Sequence, residues 1–217
     1  MGQMKSEVGF GIIGAGMIAA HHGKAMADLK NVRLIGFYDT NYESAKKRAE
    51  EFHCKAYASF EEFLADPEIE AVTIATPSGM HGSVAIPAAK AGKHILCEKP
   101  LEITLEKVDE IIRVCEENRV LLSPVFQTRF TKPVQLVREA MRSGRFGRMV
   151  LASAQMRWVR EASYYSGSNW RGTWKMDGGG ALMNQGIHGV DIMSFIMGGV
   201  KSVSGQIKTL VKKIEVE

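Results

Sequence analysis

Residues 8–19, VGFGIIGAGMIA, join an apolar run to a helical segment through a turn rich in glycine. The run Val8–Ile13 predicts a buried β-strand, and Met17–Leu29 predicts the α-helix that follows it. A strand, a glycine-rich turn and a helix in immediate succession are typical of the first unit of a doubly wound α/β sheet. This stretch therefore predicts the fold class before the rest of the chain is considered.

The turn carries the pattern G-x-G-x-x-G/A, with Gly14, Gly16 and Ala19 at its small positions. The first glycine permits the tight turn, and the second lets a pyrophosphate approach the backbone, where helix N–H groups face the phosphates. Alone, the motif is also compatible with a simple tight connection between strand and helix. In this context we predict that it binds a dinucleotide, and we assign to cofactor binding Gly14, Gly16, Met17 and Ile18.

Asp39 ends the second predicted strand, twenty residues beyond Ala19. A carboxylate at this place binds the adenosine ribose hydroxyls and repels a 2′-phosphate, which favours NAD over NADP. The nearby basic residues Lys46, Lys47 and Arg48 are interpreted as a solvated helix face rather than a phosphate clamp.

Strands and helices alternate up to about residue 127, which predicts a parallel sheet. The predicted strands are Val8–Ile13, Val32–Tyr38, Ala71–Ala75, His94–Cys97 and Val120–Gln127. The predicted helices are Met17–Leu29, Tyr42–His53, a short helix capped by Ser59 and closed by Pro67, about Gly79–Ala91, and Thr104–Glu117. We expect an NAD-binding Rossmann domain over residues 1–125.

Residues 126–217 have a different pattern, with helices over Lys132–Met141 and up to about Met197 and strands over Met149–Val159 and Val200–Val211. So few elements cover an open sheet poorly, because its edge strands need partners. Either a partner chain completes the sheet or the chain is a fragment of a longer protein, and we favour the fragment. We expect these residues to form a partial C-terminal substrate and oligomerisation domain.

The composition is that of an ordinary soluble globular protein and excludes disordered, collagen-like and coiled-coil classes. Of 217 residues, 45% are hydrophobic and 24% are charged, with a net charge of +4. No dense Lys/Arg cluster indicates nucleic-acid binding, and the apolar run near the start is too short to span a membrane. Three widely spaced cysteines (Cys54, Cys97 and Cys115) indicate no metal site and a cytoplasmic protein with reduced thiols.

Three stretches make the sequence resemble the Gfo/Idh/MocA (glucose-fructose oxidoreductase/inositol dehydrogenase) family. They are ATPSGMH over residues 75–81, AGKHILCEKP over residues 91–100, and GGGALMNQGIHGVD over residues 178–191. The last differs from many members, which carry Asp where this chain has Asn184. In this respect it is similar to the branch that contains the UDP-N-acetylglucosaminuronate 3-dehydrogenases.

The resemblance implies a Rossmann domain followed by an α/β domain with a large, mostly antiparallel sheet, through which members form homo-oligomers. It implies cofactor contacts from five residues: Thr76, Pro77, His81, Glu98 and Lys99. It also places Trp170 and Arg171 near the nicotinamide and the substrate. The expected partner is a small sugar or nucleotide-sugar molecule, with no nucleic acid and no membrane.

Oxidation of a sugar hydroxyl needs a group that takes its proton while hydride leaves for the nicotinamide. His188 suits this role because the ordinary pKa of a histidine lies near neutrality, and Lys99 is predicted to stabilise the alkoxide. Asn184 lies one helical turn before His188 and is expected to orient the substrate, with Arg129 as a further contact. The alternatives are an ordinary exposed lysine and a hydrogen-bonded core histidine.

Several other residues are assigned from their side-chain type and position. The aromatic side chains Trp158, Tyr164, Tyr165 and Trp174 are candidates for stacking on sugar faces, and His21 and His22 are expected to be solvated.

The leading hypothesis is an NAD-dependent oxidoreductase acting on a hydroxyl carbon of a sugar, sugar acid or nucleotide sugar. Its rivals are a non-catalytic NAD(P)-binding regulator and a truncated, inactive fragment of such a dehydrogenase.

Overall fold

The computed structural model describes residues 7–208 and divides the chain into two compact units, Met1–Val125 and Phe126–Glu217. The first unit contains a six-stranded parallel sheet with the strand order β3-β2-β1-β4-β5-β6. Its strands are β1 Val8–Ile13, β2 Val32–Tyr38, β3 Lys55–Tyr57, β4 Ala71–Ile74, β5 His94–Cys97 and β6 Leu122–Pro124. This arrangement confirms the predicted doubly wound α/β fold for the first unit.

The helices of the first unit follow the predicted order. They are α1 Met17–Ala27, α2 Tyr42–Phe52, α3 Phe60–Ala65, α4 His81–Lys90 and α5 Leu105–Glu117. Pro87 lies inside α4, and Ser59 caps α3 by accepting a hydrogen bond from Glu62 N at 3.1 Å. The last strand is shorter than predicted, because Gln127–Phe130 form a 3₁₀ turn.

The sheet has a core on each face because neighbouring residues of a strand point to opposite sides. On one face Ile12 packs in a buried cluster with Ala19 and Phe37. On the other, Ile13 belongs to a larger cluster that contains Ile74 and other apolar side chains of β4, β5, α4 and α5. The glycine-rich turn after Ile13 therefore leaves a strand that is fixed from both sides.

A polar network joins β3 to the loop before β4 around Asp66. Its carboxylate accepts hydrogen bonds from the Tyr57 hydroxyl at 2.5 Å and from Lys55 Nζ at 2.9 Å. The buried Lys93 ammonium donates to the carbonyl oxygens of Asp66 and Ile69. Burial opposes the charged form of Asp66, but these donors and Glu68 N lower its pKa to about 2.

Replacing Asp66 with Asn is expected to lower the free energy of unfolding by about 2 kcal/mol at pH 7. The pKa of Asp66 falls from 3.8 to about 2 on folding, so its stabilisation is present above pH 4 and is lost towards pH 2. Urea unfolding between pH 7 and pH 2 measures this, with Asp28→Asn at the exposed end of α1 as control. Equal acid sensitivity of Asp66→Asn and the unchanged chain would contradict the prediction.

The second unit contains the helices α6 Lys132–Arg142, α7 Ala162–Ser166 and α8 Ile187–Met197. Its described residues, 126–208, contain no β-strand, so the predicted antiparallel sheet is not observed there. The predicted strand Met149–Val159 has no pairing partner among them, and Val150 and Val159 are each 85% exposed. Alternating polarity gives a segment one apolar face, but a strand also needs a neighbour to bond with. For Val200–Val211, residues 200–208 form no strand, and residues 209–211 lie outside the described part.

Two properties of the described residues bear on function. Across residues 7–208, no helix combines the length and apolar character needed to cross a membrane. The same residues hold no group of three or more His, Cys, Asp or Glu side chains arranged to hold a metal ion.

Candidate functional site

The glycine-rich turn lies at the carboxyl end of β1, between the ends of β2 and β4. Gly14 has φ +101°, a left-handed conformation that favours glycine, and its N–H donates to Tyr38 O at 2.8 Å. A Cβ on Gly14 would come within 2.7 Å of Ala75 O. The turn is therefore locked between the two neighbouring strands, where ligands of doubly wound folds bind.

The second glycine lies beside open space. A Cβ on Gly16 would meet no atom within 4 Å, and no side chain caps the first turn of α1, which also lacks acidic residues. Met17 and Ile18 are exposed in this first turn. Uncapped helix N–H groups next to accessible backbone provide the hydrogen-bond donors that a pyrophosphate requires. The residues present thus fit the dinucleotide that the sequence predicts.

Asp39 is held against this turn. Its Oδ2 accepts a hydrogen bond from Ala15 N at 2.8 Å, and its Oδ1 accepts one from Asn41 N at 2.8 Å. A carboxylate oxygen accepts more than one hydrogen bond, so both oxygens can also receive ribose hydroxyls. The ribose contact of Asp39 stays a prediction.

Arg48 does not lie on a solvated face, contrary to the sequence interpretation. Its Nε donates to Ala15 O at 3.1 Å, its Nη2 donates to Gly16 O at 3.4 Å, and its Nη1 pairs with Glu51. The guanidinium therefore braces the glycine-rich turn from α2. By contrast, Lys46 and Lys47 are exposed, as expected.

His81 is enclosed rather than open to a cofactor pocket. It is 1% exposed, with Nδ1 2.8 Å from Pro100 O and Nε2 3.1 Å from Thr76 O. Burial lowers its pKa, although the two carbonyl oxygens favour the protonated ring. The ring joins the loop after β4, which contains Thr76 and Pro77, to the loop after β5. The structure thus gives His81 a positioning role between two segments assigned to the cofactor.

Glu98 and Lys99 begin the loop after β5. Glu98 is largely buried, and its Oε2 accepts a hydrogen bond from Lys99 N at 3.2 Å. Its Oε1 lies 2.9 Å from His22 Nε2 on α1, so the prediction of a solvated His22 is wrong. Burial raises the pKa of Glu98, but the contacts with His22 and Lys99 outweigh this and leave the pKa below its ordinary value. The Glu98 carboxylate thereby ties the backbone of the Lys99 loop to the helix that follows the glycine-rich turn.

Replacing His22 with Ala is expected to lower the free energy of unfolding by about 1–3 kcal/mol, because it removes a partner from a largely buried carboxylate. His21→Ala is the matched control, since His21 is exposed and its Nδ1 lies 2.9 Å from Met17 O of its own helix. We expect a change within about 0.5 kcal/mol for this control. Urea unfolding at pH 7 compares the two, and equal effects would contradict the assigned role of His22.

In the second unit, Asn184 lies in a π-helical turn, Leu182–Gly186, where the sequence predicts ordinary α-helix. Such wider turns are frequent at functional sites and alter the simple spacing of side chains four residues apart. Asn184 Nδ2 donates to Asp177 Oδ1 at 2.9 Å, and Asn184 Oδ1 accepts from Gln185 Nε2 at 2.7 Å. Its amide is therefore held in one orientation, as a group that orients a substrate requires.

Asp177 is a residue that the sequence reasoning missed. It is buried, and its Oδ2 also accepts a hydrogen bond from Gly172 N at 2.9 Å. The signal available in the sequence was the position of this carboxylate directly before three consecutive glycines. A buried carboxylate needs several hydrogen-bond donors, because its charge is costly to bury without them.

The Arg129 guanidinium and the Asp191 carboxylate form a bidentate ion pair in the second unit. Arg129 Nε lies 2.9 Å from each Asp191 oxygen, and Nη2 contacts Oδ1 as well. This ion pair fixes α8 against the 3₁₀ turn that carries Arg129, and the substrate contact of Arg129 stays a prediction. The same helix carries His188, whose ring packs edge-on against Phe126 at 6.4 Å between centroids.

The remaining predicted residues lie in α7 and on the loop that follows it. Arg171 lies over the rings of Tyr164 and Trp170, at 4.5 and 5.3 Å from their centroids. Tyr164 and Tyr165 contact each other edge to face, whereas Trp174 is exposed. Lys99 belongs to the first unit, and Asn184, His188, Trp170 and Arg171 belong to the second.

Models of known protein families match both units of the chain. Residues 8–126 match the model described as "Oxidoreductase family, NAD-binding Rossmann fold", and residues 134–217 match "GFO/IDH/MocA C-terminal domain". The chain belongs to the Gfo/Idh/MocA family. The resemblance inferred from the three motifs is thereby confirmed, as is the dinucleotide-binding character of the first unit.

The relatives in the Gfo/Idh/MocA family that resemble this chain are longer than it is. The WlbA dehydrogenase from Bordetella pertussis, solved in complex with NADH and UDP-GlcNAcA, is 35% identical with a TM-score of 0.92, over 100% of this chain and 62% of that one. Inositol 2-dehydrogenase from Rhizobium meliloti is 30% identical over 88% of this chain and 55% of its own length. A 2,7-anhydro-N-acetylneuraminate hydratase from Mediterraneibacter gnavus is 28% identical over 89% and 50%, respectively. The chain spans about half the length of the curated relatives it matches.

Proposed function

We propose that this protein is an NAD-dependent oxidoreductase that moves hydride between nicotinamide and a hydroxyl carbon of a sugar, sugar acid or nucleotide sugar. The observation that carries the proposal is the Asp39 carboxylate bonded to Ala15 N beside the open backbone of Gly16. Relatives named as sugar or nucleotide-sugar dehydrogenases support the substrate class. We take residues 1–125 as the NAD-binding domain and residues 126–217 as part of the substrate domain.

The proposed roles follow from proton chemistry. NAD, when bound, supplies the hydride acceptor. His188 takes the hydroxyl proton, because an imidazole has a pKa near neutrality and works in both directions. The Lys99 ammonium donates a hydrogen bond to the same oxygen and stabilises its alkoxide character. Asn184 holds the substrate hydroxyl in position, since its amide is fixed by Asp177 and Gln185.

We also infer a cytoplasmic homo-oligomer. The three cysteines are free thiols, which suits a reducing compartment. Apolar side chains in the segment 149–159 are exposed, including Val150 and Val159, which suits burial between copies of the chain. Light scattering of the purified protein tests the assembly, and a monomer at all concentrations would contradict it.

The test of the function is an absorbance assay at 340 nm with NAD and a panel of neutral sugars, sugar acids and UDP-sugars. We expect NADH formation with at least one of them and its loss in His188→Ala. NADH binding without turnover of any substrate would favour the regulator hypothesis instead.

A further inference from the structure

Two arginines of the second unit share one aromatic ring. The guanidinium carbons of Arg160 and Arg171 lie 4.9 and 4.5 Å from the ring centroid of Tyr164. Arg160 also lies over Trp158, and Arg171 over Trp170. The distance between the two guanidinium carbons therefore cannot exceed the sum of their distances to the Tyr164 ring centroid. We call Arg160, Tyr164 and Arg171 the arginine–tyrosine cluster.

One acidic residue, Glu161, adjoins Arg160 of this cluster along the chain. Among residues 7–208, neither Arg160 nor Arg171 forms an ion pair with a carboxylate. Arg160 donates one hydrogen bond to Val159 O at 3.4 Å, which leaves most of its donors for other acceptors. A guanidinium that stacks on a ring keeps its N–H groups in its own plane, where they fit carboxylate or phosphate oxygens.

A buried carboxylate connects the cluster to the proposed substrate-orienting amide. Gly172, next to Arg171, donates its N–H to Asp177 Oδ2, and Asn184 donates Nδ2 to Asp177 Oδ1, both at 2.9 Å. The loop that carries Arg171 and the π-helical turn that carries Asn184 thus share one anchor. The cluster and Asn184 therefore belong to one scaffold, and Asn184 precedes His188 by four residues along the chain.

We propose that the arginine–tyrosine cluster binds the negatively charged group of the substrate, so that the substrate is an acidic sugar derivative. The group is either the carboxylate of a sugar acid or the diphosphate of a nucleotide sugar, since both offer paired oxygens to guanidinium groups. This inference rests on the proposed function and narrows its substrate class. Neutral sugars lack the group that the two arginines recognise.

Calorimetric titration of the purified chain tests the proposal with UDP, glucuronate and glucose as probes. UDP carries the diphosphate without a sugar, glucuronate carries the carboxylate without a diphosphate, and glucose carries neither. The test variant is Arg160→Met with Arg171→Met, and Arg160→Lys with Arg171→Lys retains the charge. Arg157→Met is the matched control, because Arg157 lies in the neighbouring segment and bonds to Gln155.

We expect one anionic probe to bind, with glucose at least about tenfold weaker, and the double Met variant to weaken the anion by at least about tenfold. The double Lys variant is expected to lose less, and Arg157→Met to bind as the unchanged chain does. The anion that binds identifies the charged group. Binding of neither anion, or equal binding by the double Met variant with unchanged thermal unfolding, would overturn the proposal. Parallel NADH titration separates the two proposals, because its loss with anion binding retained would remove only the proposed function.

Discussion

Replacing Lys99 with Met is expected to reduce hydride transfer about a thousandfold or more while changing NADH affinity by about twofold at most. Methionine retains most of the length and apolar stem of lysine but carries no ammonium to stabilise the alkoxide. The substitution removes the Coulomb attraction between Lys99 and Glu98 but leaves the Glu98–His22 contact and the Lys99 N–H hydrogen bond in place, so the fold is expected to persist. A steady-state assay at 340 nm and a separate NADH titration measure the two effects independently.

The control for this substitution is Lys90→Met, which removes a lysine from the exposed end of α4. We expect turnover by this variant to match that of the unchanged chain. Retained turnover in Lys99→Met would contradict the proposed role of Lys99 in hydride transfer. Joint loss of turnover and NADH affinity would instead assign it to cofactor binding alone.

Replacing Gly16 with Ala is expected to weaken NADH binding at least about tenfold without destabilising the fold. The added methyl group meets no protein atom within 4 Å, and Gly16 has φ −72° and ψ −167°, which alanine adopts without strain. Alanine also restricts the unfolded chain, so thermal stability is expected to stay constant or rise slightly. The methyl group would occupy the space through which a pyrophosphate approaches the backbone.

Gly14→Ala provides the contrast, because Gly14 has φ +101° and its Cβ would lie 2.7 Å from Ala75 O. This variant is expected to lose both stability and NADH binding. Fluorescence titration and thermal unfolding of both variants separate the two causes. An unchanged NADH affinity in Gly16→Ala would place the pyrophosphate elsewhere.

The parts of the fold that depend on local pattern could be predicted from the sequence. The strand, turn and helix around Gly14 follow from apolar runs and glycine positions, and so does the placement of Asp39 at the end of β2. The three-residue strand β3 was missed, because so short an edge strand has no periodic pattern to read.

The contacts that organise the candidate site are mostly long-range and could not be predicted. His22 and Glu98 are 76 residues apart, and Arg129 and Asp191 are 62 apart, so no local pattern links them. The predicted strand Met149–Val159 shows the opposite error, since its pattern is suitable but pairing depends on a neighbouring strand. The motif around Asn184 identified a candidate residue but not the π-helical turn that sets its direction.

The most direct test of the account is an NADH titration followed by nicotinamide fluorescence, with NADPH in parallel and folding verified by circular dichroism. Asp39 and the open backbone at Gly16 predict that NADH binds and that NADPH binds at least about tenfold more weakly, because the carboxylate repels a 2′-phosphate. Asp39→Asn is expected to reduce this preference. A folded chain that binds neither cofactor, or that prefers NADPH, would contradict the account.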